Sequence, residues 1–363
     1  MNYRLATIFP EKVETIDVTE IIDLNVRDPI SRISVINKTV AGASMAPLGH
    51  PASVVTKIEV VDGSDVLFSL SGLEAQAVDW YHRKKEPCNI HFAVNANWSE
   101  QAYFLNFGRY LYDPLLALDP TKFTNLQLKI TLDLDAWDTN AGNSRLSVVA
   151  DLFDAKEVTP TGFLMHKEVK DYSLGDGTHE YTDLPTDHPI RKLLLRIAKS
   201  GVGTEYCFGT VKISEDNDRK IPINLSIAHI LRTIVSESPP YREWIITVGE
   251  GAGVDIYNTP AYWPAFSGTN WQGSQVTNAV TVNAGDGGKA TVYGGSDGVN
   301  VQCLCEGWCP HGVIEIPFGL QNDIDDWYDV TQLGSLVLDL TAAGGMLVTD
   351  SCQVFLQQMR AYA

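Results

Sequence analysis

Between Leu126 and Asp135 the apolar residues Leu126, Leu128, Ile130, Leu132 and Leu134 alternate with Gln127, Lys129, Thr131, Asp133 and Asp135. This is the period-two signature of a strand with one dry and one wet face. The alternation returns at Leu336, Leu338 and Leu340. The loops ahead of the two strands also correspond, FGRYLYDPLLALDP from Phe107 and FGLQNDIDDWYDV from Phe318. Gly108 maps to Gly319 (319 − 108 = 211), and Asp113, Asp119 and Leu126 map to Asp323, Asp329 and Leu336, each 210 residues on. Behind each strand lies a turn rich in Gly, Asn and Asp (138–143 and 342–350). A partner strand follows, with Leu146, Val148, Ala150 and Leu152 in one copy and Cys352, Val354 and Leu356 in the other. A spacing held across loop, strand and turn predicts a duplicated antiparallel unit.

The rest of the chain extends the duplication. Residues 1–27 read as an arm or first strand, and 28–40 as the first core strand, with Ile33 and Val35 on one face. Residues 54–70 read as a hairpin turning at Asp62-Gly63. Ser71 and Glu74 have the spacing of a capping box that launches a helix through Lys85, its dry stripe being Leu73, Ala77, Trp80 and Tyr81. In the second half Pro189 answers Pro29 at an offset of 160, and Lys212-Ile213 answers Lys57-Ile58 at 155. Leu225 to Val235 then answers the helix. The offset grows from 155 to 210, so the second copy carries an insertion of about 55 residues, read as a loop-rich excursion over about 250–312. Residues 159–186 read as a linker with Pro160, Gly162, Gly175 and Gly177. The expectation is mainly β: two antiparallel sandwiches over 28–158 and 187–363, each with a short helix.

Charge narrows the functions. With 27 Lys and Arg against 45 Asp and Glu, the formal charge is −18, which argues against neutralising nucleic-acid phosphates. The start, MNYRLATIFPEKVET, lacks a signal peptide's apolar core, and no run is long enough to cross a bilayer. Synthesis in the cytosol is therefore expected, with the six cysteines as reduced thiols.

Candidate chemistry is sparse. Cys303, Cys305, Cys309 and His311 have the residue types of a zinc site, although C-x-C-x3-C-x-H is not a usual finger spacing and Val301, Cys303 and Cys305 also read as one face of a strand. Gly294-Gly295-Ser296-Asp297-Gly298 spells a nucleophile elbow without the following helix. Gly249, Gly251 and Gly253 imitate a phosphate loop, again with no helix behind them. Asp133, Asp135, Asp138 and Asn140 lack the ordered glycine and distal glutamate of an EF-hand. Asp323, Asp325 and Asp326 suggest carboxylate chemistry, but only Asp113 answers them in the other copy. No catalytic residue and no cofactor is predicted.

The motifs FGRYLYDPLLALDP, NLQLKITLDL, LPTDHPIRKLLLRI and KIEVVDGSDVLFSL, in this duplicated order, resemble the double jelly-roll major capsid proteins of tailless icosahedral DNA viruses, the lineage that includes adenovirus. The resemblance spans about 28–363. It implies two upright jelly rolls, a tower made by the insertion, and a homotrimeric, pseudo-hexameric capsomer. It also implies a virion location, neighbouring capsomers and minor capsid or penton proteins as partners, an internal membrane beneath the shell in several members, and no enzymatic activity. The competing class is a carbohydrate-binding or carbohydrate-cleaving sandwich using Tyr262, Trp263 and Trp271 as an aromatic platform.

Overall fold

A computed structural model describes residues 1–44, 46–197, 199–249, 253–270, 281–293, 299–346 and 350–362. The first half contains β1 (Tyr3–Glu14), β2 (Val18–Asp23), β3 (Ile30–Val40), β4 (Val55–Asp62), β5 (Asp65–Leu70), α1 (Gly72–Arg83), β6 (His91–Ala93), β7 (Trp98–Asn106), β8 (Leu126–Leu132) and β9 (Ser144–Phe153). The second opens with β10 (Gly162–Ser173), β11 (His179–Asp183), β12 (Ile190–Ile197), β13 (Phe208–Glu215), β14 (Lys220–Ser226) and α2 (Ile227–Glu237). The excursion holds β15 (Tyr241–Gly249), β16 (Val254–Tyr257), β17 (Pro260–Asn270), β18 (Thr281–Ala284), β19 (Lys289–Tyr293) and β20 (Val299–Pro310). The chain closes with β21 (Val313–Pro317), β22 (Leu336–Ala342) and β23 (Ser351–Ala361).

Strand order exposes the duplication. The first roll is β1-β9-β3-β7 facing β2-β8-β4-β5, and the second is β10-β23-β12-β21 facing β11-β22-β13-β14. The two orders are the same, strand for strand. Burial follows the expected alternation, with β8 and β22 both buried at every odd position of seven.

The repeat persists in single hydrogen bonds. Phe107 N–H donates to Ser31 O and Phe318 N–H to Arg191 O, while Leu24 N–H donates to Leu126 O and Leu184 N–H to Leu336 O. The recurring aspartates are turn caps: Asp119 Oδ1 accepts from Thr121 N–H, and Asp329 Oδ1 from Thr331 N–H. Asp113 and Asp323 accept from Leu115 and Asp325 N–H in the same way. These carboxylates recur because a tight turn leaves backbone donors that a short acidic side chain satisfies.

Four expectations need correction. Residues 1–27 are no free arm, and 159–186 are no linker. They supply β1 with β2 and β10 with β11, the equivalent first two strands of each roll, with β1 pairing β9 and β10 pairing β23. The sequence pattern hid them because β1 and β2 are edge strands with half-exposed faces. The hairpin offset is 153 rather than 155, since Ile58 faces Ile130 and Val211 faces Leu340 (211 − 58 = 153). Finally, the excursion begins at β15 and is mostly sheet, forming β17-β20-β15 with β6 of the first half and a small β16-β19-β18 sheet.

The two rolls share one core. Buried residues from both halves form one cluster, and β5 pairs with β10 in parallel, His166 opposite Phe68 and Lys167 opposite Ser69. Phe107 is fully buried, whereas Phe318 is half-buried against Tyr328. Phe107→Ala is therefore expected to cost about 3–5 kcal/mol in denaturant titration, and Phe318→Ala roughly half as much. Equal losses would show that the exposure difference does not matter.

Candidate functional site

The chemistry of this molecule is concentrated in the seam where the first roll meets the second roll and the excursion. Helix α1 runs along it. Its capping box is formed, with Ser71 N–H donating to Glu74 Oε2 (2.7 Å) and Glu74 N–H to Ser71 Oγ (3.3 Å). Lys84 closes the helix in the left-handed conformation, and nine of its twelve residues are buried. Tyr81 Oη donates to Val313 O (2.7 Å), fastening the helix to the second roll.

At one end of the seam, His50 and His91 from the first half meet Glu243 on β15. His50 Nε2 lies 2.8 Å and His91 Nδ1 2.9 Å from Glu243 Oε1, and Thr259 N–H donates to Glu243 Oε2 (2.7 Å). Among the described residues this is the group of His, Cys, Asp or Glu ligand atoms close enough to hold a metal ion. The hydrogen bonds argue for protons instead. His50 Nδ1 accepts from Ala52 N–H (3.0 Å), so the ring's proton sits on Nε2 and is donated to the carboxylate. Burial alone would raise the Glu243 carboxyl, but the imidazoles of His50 and His91 hold it well below the usual range. Burial also lowers His50 despite Glu243. The arrangement is a fully satisfied buried carboxylate that ties three segments together.

Further along, Lys192 Nζ lies 2.6 Å from Glu315 Oε2, and Lys84 Nζ 3.3 Å from Glu315 Oε1. Burial lowers Lys192 to about 8. Arg191 Nη1 donates to His82 Nδ1 (3.1 Å) and to Gln357 Oε1 (2.9 Å), and Gln357 Nε2 donates to His166 Nε2 (2.6 Å). Burial, then the adjacent Arg191, drives His82 well below its ordinary value and His166 to about 3. His311 Nε2 donates to Gln76 Oε1 (3.0 Å), and burial with His50 nearby keeps it well below the ordinary value too.

The sequence candidates do not gather into one site. Cys303 and Cys305 lie on the buried face of β20, Cys303 in the small core of the excursion. Cys309 belongs to the main core. Burial pushes Cys303 up to about 11 and Cys309 to about 12, so both are neutral thiols at neutral pH. His311 is spent on Gln76. Asp138, fully buried, accepts from Gly42 and Ala46 N–H (2.8 Å each), and Asp326 accepts from Leu320 N–H, so both act as loop braces. Trp263 is 63% exposed and stacks on Tyr262, with ring centroids 5.4 Å apart. Trp271, Gly251 and residues 294–298 lie outside the described residues. What the sequence missed is the buried group of His50, His91 and Glu243, whose members are separated by up to 193 positions and carry no local pattern.

Comparison with solved structures places the fold. The major capsid protein of Sulfolobus turreted icosahedral virus superposes with a TM-score of 0.62 at 12% identity, covering 99% of this chain and 97% of that one. The major capsid protein of bacteriophage PM2 gives 0.56 at 12% identity, covering 99% and 98%. VP54 of PBCV-1, fitted into a reconstruction of the virophage Sputnik, gives 0.57 at 10%, covering 99% and 94%. No family model matches the chain, and no curated protein matches it in sequence. The fold is the double jelly roll of viral major capsid proteins.

Proposed function

We propose that the chain is a major capsid protein, a structural subunit of an icosahedral virion shell. The observation that carries this is end-to-end agreement of a duplicated eight-stranded roll with capsid subunits of nearly the same length. A sandwich lectin or glycosidase needs one roll and a site on it. Here Glu243, Glu315 and Arg191 engage His50, Lys84 and His82 across the seam, tying the two rolls together. Three chains then give six similar uprights, with β15–β20 as the tower, and neighbouring capsomers and minor capsid or penton proteins as the remaining partners. Virion location follows from this role, with synthesis in the host cytoplasm.

The test is oligomeric mass. Purified protein should scatter as a trimer, three times the chain mass of 39.9 kDa. A formal charge of −18 makes self-repulsion the obstacle, so trimers should strengthen as salt or divalent cations screen it. A monomer that stays monomeric at high concentration and binds a glycan array would favour the carbohydrate-binding alternative.

A further inference from the structure

The internal joint between the rolls is made from two surfaces, and the duplication presents each of them a second time without a partner. Inside the chain, the edge of β5 pairs with the edge of β10, and Phe68 packs on His166 with ring centroids 5.2 Å apart. The counterpart of β5 is β14, and the counterpart of β10 is β1, by sheet position. Among the described residues both lie at the end of their sheets, each with one neighbour. Their hydrogen-bonding edges are open.

Ladder registers fix which residues correspond. Val60 pairs with Phe68 and Ile213 with Ile223, and Val60 and Ile213 face the equivalent Leu128 and Leu338, so Ile223 stands for Phe68. On the other side, Lys167 pairs with Leu356 and Ala6 with Ala150, and these partners face Leu193 and Ile33, 160 residues apart (193 − 33). Leu5 therefore stands for His166. Exposure differs as an unmade joint requires. Phe68 and His166 are 2% and 1% exposed, whereas Leu5 is 69% exposed and Leu225, the counterpart of the buried Leu70, 45%. The helices agree: α1 buries nine residues, and α2 only Ile227, Ile230, Leu231 and Ile234.

We infer that β14 receives β1 of a second copy of this chain, repeating between chains the contact that β5 makes with β10 within one, and that the open face of α2 lies against that copy's first roll as α1 lies against β12 and β21 of the second. The pairing is parallel, with Ile223 opposite Leu5 and Asn224 opposite Ala6 of the next copy. Pro222 has no N–H to donate and confines the pairing to the residues after it. The internal joint is itself only two residue pairs long, so nothing needed is lost. A contact that joins one surface to a different one is heterologous and propagates head to tail, closing into a ring when the rotation permits. Three internal joints and three such external joints would complete a ring of six rolls. This inference rests on the capsid reading for the ring, and specifies the edges that close it.

The experiment uses the full chain with its exposed Cys88 changed to Ser. Leu5→Cys and Ile223→Cys are introduced together, because opposed residues on paired strands lie within disulfide reach. Mild oxidation of the trimer should give covalent dimers and trimers on a non-reducing gel, and neither single variant should. In parallel, Leu5→Arg should weaken the trimer at least tenfold while leaving the monomer's melting temperature unchanged, since Leu5 touches solvent in the single chain. Trimers that form but never cross-link, and that tolerate Leu5→Arg, would overturn the edge pairing and leave the capsid reading standing. Absence of any oligomer would overturn both.

Discussion

Acidification from pH 7 to pH 4.5 is expected to destabilise this protein, because the seam is closed by neutral histidines. His166 and His311 are buried and His82 half-buried, His82 and His166 beside Arg191 and His311 beside His50, and each binds its second proton far less readily in the fold than in the unfolded chain. Their folded values lie below the unfolded value near 6.5, so the stability they confer is complete above that pH. It drains as pH falls toward the folded value, about 3 for His166. Each contributes about 1.4 kcal/mol per pH unit. Glu168 opposes them: burial and then Glu74 raise it to about 7, so it gains its proton in the fold first and stabilises as pH falls. Buried Glu74 and Asp79 are raised as well, chiefly by burial, and act in the same direction. The lowered histidines of the seam, His50, His82, His166 and His311, outnumber the raised Glu168, Glu74 and Asp79, so the net effect of acid is a loss of stability. Melting temperature followed from pH 7 to 4.5 should therefore fall steeply. A flat profile to pH 5 would mean that the histidines gain protons without opening the seam.

Glu243→Ala is the substitution expected to cost most per atom removed. The carboxylate takes three hydrogen bonds, from His50, His91 and Thr259 N–H, and is only 4% exposed. Removing it strands three buried donors from three segments at once. Losing one partner of a buried charged network typically costs about 3–5 kcal/mol. The loss should also be local: hydrogen exchange should rise in β6, β15 and the segment around His50, while β8 and β9 stay protected. A loss under about 1 kcal/mol would show that the network relaxes or takes up water.

Legibility in the sequence followed how local each constraint is. The correspondence of Phe107–Leu134 with Phe318–Leu340 was readable because aspartate-capped turns and alternating strands write themselves into adjacent residues. The hairpin offset was misjudged by two residues because a period-two pattern looks the same after such a shift. The strands β10 and β11 escaped notice for another reason: β10 is continuously buried over Gly162–His166 and half-exposed beyond, so it carries no single period. The seam left least trace. His50, His91 and Glu243 come together only when both halves have folded, and the four Cys and His residues that seemed grouped by spacing are spread along one strand and the turn after it.

Electron microscopy of the purified protein tests most directly the claim that a duplicated roll builds a shell. Class averages of particles assembled in raised salt should show six similar lobes around a threefold axis, each pair of lobes accounting for one chain. Particles with two lobes only, at every concentration and ionic strength, would contradict it.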